Sequence, residues 1–115
     1  MNKPNGGDSP LALPVKLSGL LSVQKGSVVS RTVIKKPAGT VTLFAFDAGE
    51  GLSEHSTPHD ALVQGLEGRL EVTIAGEPHQ VDAGDALLLP ATVPHALRAR
   101  TQAKMLLTMI RDPAG

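Results

Sequence analysis

Two stretches decide how this chain is read: Gly49-Glu50-Gly51-Leu52-Ser53-Glu54-His55 and Gly84-Asp85-Ala86-Leu87-Leu88-Leu89-Pro90-Ala91-Thr92-Val93-Pro94-His95. Each opens on a glycine turn, passes through a short run and ends on a histidine. Between them, Arg69-Leu70-Glu71-Val72-Thr73-Ile74 alternates polar and apolar residues, the pattern of a strand with one wet face. Glu67-Gly68 before it has the chemistry of a tight turn, so Ala61 to Leu66 and Arg69 to Ile74 read as a β-hairpin.

Working outward, Val28-Val29-Ser30-Arg31-Thr32-Val33-Ile34-Lys35 is β-branched and partly alternating, as a half-buried strand requires. Lys36-Pro37-Ala38-Gly39 supplies a turn. The run from Thr40 to Phe46 is apolar on both faces, which predicts cover on both sides, one from the core and the other from a partner subunit. His79 to Val81, Ala86 to Leu89, Ala96 to Arg100 and Lys104 to Ile110 read as further short strands, with Pro90 stopping the second of these. No apolar stripe of 3.6-residue period appears. Short strands about ten residues apart, with Gly and Pro between them, predict an all-β antiparallel sandwich or barrel. Residues 1–20, interrupted by Pro10, Pro14 and Gly19, read as a flexible or irregular lead-in. Residues 21–111 read as the single domain and 112–115 as a tail.

The chain has 115 residues, 41% of them hydrophobic, enough for one modest core. Lys plus Arg and Asp plus Glu balance at 11 each, and Phe44 and Phe46 are the only aromatic residues. Neither a basic surplus for phosphates nor a stacking platform for bases is present, so a nucleic-acid partner is not expected. No apolar run reaches the ~18 residues of a membrane span, and residues 1–10 lack the apolar core of a secretory signal. Cysteine is absent, which rules out disulfides and thiolate chemistry and fits a cytoplasmic protein. There is no dinucleotide fingerprint or P-loop, so no nucleotide cofactor is expected, and no Gly-x-Ser-x-Gly elbow.

The two glycine-to-histidine stretches resemble the paired motifs of the cupin superfamily, small jelly-roll barrels also called double-stranded β-helices. Gly49, His55 and Gly68 fall on the first motif, while Thr57 stands where its second histidine belongs and Ala61 where its glutamate belongs. Gly84, Pro90 and His95 fall on the second, with Thr92 and Ala99 replacing its glycine and asparagine. The resemblance covers about residues 40 to 110, and the 15 residues between Gly68 and Gly84 match the spacing of compact single-domain members. It implies a homodimer and a barrel that takes a small-molecule ligand. It also implies a divalent metal, held in the family by three histidines and a glutamate, of which this chain keeps His55 and His95.

A site for iron, manganese, nickel or zinc takes about three or four protein ligands. On an unbroken strand, residues 55, 57 and 59 face one side, so His59 is the candidate third imidazole, although Pro58 can swing it out of register. Glu54, Asp60 and Gln64 are nearby oxygen donors that strict alternation turns away from His55. Against ligation stands a plainer reading of His55 and His95 as a satisfied polar pair inside the barrel, and of His59 as a loop residue. His79 reads as exposed, Met105 and Met109 as packing, and Arg98 and Arg100 as a solvated face. Two functions follow: a metal-dependent enzyme of dioxygenase, isomerase or decarboxylase type, or a metal-free binding or sensor module. A dimeric structural protein without pocket chemistry is the third.

Overall fold

Runs of β-branched and apolar residues between glycine turns build nine strands among residues 12–111, which this computed structural model describes. They are β1 (Val28–Lys36), β2 (Gly39–Phe46), β3 (Gly51–His55), β4 (Asp60–Glu67), β5 (Arg69–Ile74), β6 (Glu77–Asp82), β7 (Ala86–Leu89), β8 (His95–Ala99) and β9 (Ala103–Ile110). Five form one antiparallel sheet in the order β1-β2-β9-β4-β7, and four form the other in the order β3-β8-β5-β6. The two face each other as a jelly-roll barrel. Among the described residues no helix is long and apolar enough to cross a membrane. The first eleven residues and the tail lie outside the described range.

The inward residues follow the strand period. Phe46, Val63, Leu70, Val72, Leu89 and Met105 are all nearly or fully buried between the sheets. Each such side chain contributes about 1.5–3 kcal/mol on leaving water, so this layer is the main source of cohesion.

The expected hairpin at Glu67-Gly68 does not form. β4 pairs with β7 and β9, whereas β5 pairs with β6 and β8, so the chain changes sheets at Gly68. That corner demands glycine: φ is +72°, and a Cβ would come 2.0 Å from the Gln102 carbonyl oxygen. The genuine hairpin follows it. Ile74 pairs with Glu77 across Ala75-Gly76, whose φ angles of 51° and 83° give the doubly left-handed turn that suits strand twist.

The cover of β2 is also other than expected. Phe44 and Phe46 face the core, while Leu43 and Ala45 on the opposite face are fully buried against Leu17, Leu20, Leu21 and Val23 of the same chain. A 3-10 turn, Leu17–Gly19, brings these residues onto the sheet. Two cations tie the segment down: Arg31 donates to the Leu20 carbonyl at 2.7 Å and Lys104 to the Ser18 carbonyl at 2.7 Å. An apolar outer face on β2 thus needs no partner subunit. Further along the same face, Ile34, Leu62, Leu88 and Ile110 stay 37–63% exposed.

Candidate functional site

β3 and β8 position the two motif histidines. Leu52 pairs with Leu97 and His55 pairs with His95, so three residue steps on β3 match two on β8. Ser53 and Glu54 together oppose the single residue Ala96, which makes a β-bulge. On a regular strand Leu52 and His55 would face opposite sides. The extra residue turns both toward the barrel, where their partners Leu97 and His95 already point.

The imidazoles meet edge to face, ring centroids 4.5 Å apart and planes inclined by 67°. His55 Nδ1 lies 2.9 Å from the Ser53 carbonyl oxygen and His95 Nδ1 lies 3.3 Å from that of Val93. A carbonyl only accepts, so each Nδ1 carries the proton and donates it, the second bond being the longer and weaker. Each Nε2 is left with a lone pair. His95 is 6% exposed, and burial of its ring, then the nearby His55, push its pKa below the ordinary histidine value of 6.5, with the Val93 bond opposing. It is neutral at pH 7.

The pair lines one side of a cavity of about 450 Å³. Phe44, Leu52, Leu89, Leu97, Leu107 and Met109 supply most of its wall, with Ala61 beside them. Ser53, Glu54 and Thr57 add the remaining polar groups. Glu54 belongs to this lining because the bulge breaks the alternation that would have turned it away. No periodicity argument could have found it; the pairing of two residues against one had to be seen.

His59 does not line the cavity. β3 ends at His55, and the Thr57 hydroxyl accepts from the His59 N–H at 3.2 Å and donates to the His59 carbonyl at 3.0 Å. This local turn ends the extended register that would have put residues 55, 57 and 59 on one side. The His59 Nδ1 is buried without a hydrogen-bond partner among the described residues. Asp60 is spent elsewhere, accepting from the Ala91 N–H at 2.8 Å, and Gln64 lies outside the lining. Thr57 does line the cavity, but its hydroxyl is engaged with His59.

The fit of a resident cation follows from the donor set. Two rings sharing one ion would hold their centroids roughly 4.5–5.5 Å apart for nitrogens at ~2.1 Å, so the spacing of His55 and His95 is compatible. The number of donors is not. Among the described residues no group of three or more His, Cys, Asp or Glu is placed to hold a metal ion. Two imidazole nitrogens fall short of the three or four protein ligands of a resident site, so a dication is held weakly by this donor set.

Similarity to known proteins agrees with this architecture. No curated protein matches the chain. Among solved structures, a conserved protein of unknown function from Streptococcus pyogenes is 33% identical, with 88% of this chain and 89% of that one covered and a TM-score of 0.84. A cupin 2 conserved barrel domain protein from Leptotrichia buccalis is 37% identical over 82% of this chain, TM-score 0.79, and the match spans 46% of its length. A cupin superfamily protein from Desulfitobacterium hafniense is 27% identical, covering 90% and 95% of the two chains, with a TM-score of 0.86. The cupin domain family matches residues 42–111, and the chain belongs to that family.

Proposed function

We propose that this cupin is a metal-free binding module that takes a compact, largely apolar small molecule and fixes it by one polar group against His55 and His95. The observation that carries this reading is the tautomer lock: two backbone carbonyls hold the Nδ1 protons, so the Nε2 atoms are the open polar groups of two rings that line a mostly apolar cavity. A few placed polar groups in an apolar pocket of this size are what small-molecule recognition needs. The imidazoles can also serve as proton acceptors toward a bound substrate.

Elemental analysis of protein purified without chelator or affinity-tag metal, repeated on His55→Ala and His95→Ala, is the decisive test. Metal well below one ion per chain, with the fold intact, is the expected outcome. Stoichiometric iron, manganese, nickel or zinc that disappears in both variants would overturn the reading in favour of a metal-dependent enzyme.

The same reading includes a homodimer in the cytoplasm. Ile34, Leu62, Leu88 and Ile110 leave an apolar strip on the outer face of the five-stranded sheet, continuous with the part that Leu17 to Val23 cover. A second copy of this chain supplies the same strip and closes by a two-fold axis.

A further inference from the structure

The polar end of the cavity accepts hydrogen bonds and offers almost none. His55 and His95 have each committed their ring N–H to a backbone carbonyl, leaving acceptor nitrogens. Thr57 donates its hydroxyl proton to the His59 carbonyl. Among the described residues Glu54, an acceptor when ionised, is the only charged residue of the lining, and neither lysine nor arginine contributes to it. The Ser53 hydroxyl is the remaining side-chain donor in the lining.

We infer that the ligand class is an amine: an apolar body bearing a protonated primary ammonium, whose N–H groups reach the His55 and His95 nitrogens while its charge faces Glu54. This deepens the small-molecule reading and rests on it. A carboxylate or phosphate would meet two lone pairs and a like charge with a single hydroxyl to offset them, and acceptors facing acceptors leave one another unpaired. An alcohol offers one donor and no charge. An ammonium offers three donors and complements Glu54, so it matches the acceptors His55, His95 and Glu54 that the lining presents. Because Glu54 is exposed, its attraction is that of a partly hydrated pair, and a preference over the alcohol of about fivefold is expected.

The test uses the full chain treated with chelator, at pH 7.5, and a matched set of probes. Benzyl, phenethyl and cyclohexylmethyl bodies each carry an ammonium, a hydroxyl or a carboxylate, and calorimetric affinities are compared within each body. The expected order is amine, then alcohol, then carboxylate, with amine at least about tenfold tighter than carboxylate. The amine should also shift the Nε2 resonances of both imidazoles and leave Nδ1 protonated. Glu54→Gln, an exposed substitution that spares the fold, should remove the preference for amine over alcohol. A carboxylate binding as tightly as its amine, or a Glu54→Gln chain that keeps the preference, would overturn the inference and leave the small-molecule reading standing. Failure of all nine probes to bind would overturn both.

Discussion

His55 and His95 lie directly opposite each other on neighbouring strands, their ring planes 67° apart, because a bulge places Ser53 and Glu54 against Ala96 alone. The two rings differ in environment, His95 being buried and His55 exposed. The burial of His95 decides how that ring responds to acid.

Below pH 6.5 the unfolded chain takes a proton on His95, whereas the folded chain resists it, because burial and the adjacent His55 depress the native pKa. Stability that is fully present above pH 6.5 is therefore lost as pH falls through that value toward the native pKa. Urea denaturation between pH 8 and 5 should show this decline, and His95→Gln should flatten it. An unchanged slope in the variant would count against the assignment.

Two left-handed positions make opposite predictions. Gly68→Ala should cost more than about 2 kcal/mol, since the new Cβ meets the Gln102 carbonyl and φ is positive. Thr92 occupies φ 68°, a conformation costing a β-branched residue about 1–2 kcal/mol, and Thr92→Gly should stabilise by about 0.5–1 kcal/mol after its greater unfolded-state entropy is counted. Chemical denaturation midpoints measure both.

The lead-in segment is testable through Leu21, which is 9% exposed above the fully buried Leu43 and Ala45. Leu21→Ala should destabilise by about 2–3 kcal/mol, the loss expected for a core leucine. A cost near zero would mean that this cover does not hold in solution.

Light scattering coupled to size exclusion should give a dimer mass for the native chain. Leu88→Asp with Ile110→Asp should give a folded monomer by circular dichroism, since both side chains are more than half exposed in the single chain. A monomeric native protein would refute the dimer; a dimeric variant would refute the face.

The barrel was legible in the sequence because strand runs and glycine turns are local signals. Gly68 was recognised as a turn, but the choice between a hairpin and a change of sheet depends on which strands pair, and Arg69 to Ile74 reads the same either way. Leu17 to Val23 carried no regular period, so its role as cover for Leu43 was invisible until the sheet beneath it was known. The histidines at 55 and 95 were found from motif positions. Alternation brings His59 to the side of His55 only if the strand runs on past residue 55, which it does not, and it turns Glu54 away only on a strand without the bulge.

The bulge has a further consequence for how this family can change. Deleting either Ser53 or Glu54 would leave two residue steps between Leu52 and the histidine, match the two steps on β8, and keep the imidazole on the inner face opposite His95. Either single-residue deletion would thus take the Glu54 carboxylate out of the cavity while the paired imidazoles survive. The charge of this pocket depends on one extra residue in one short strand.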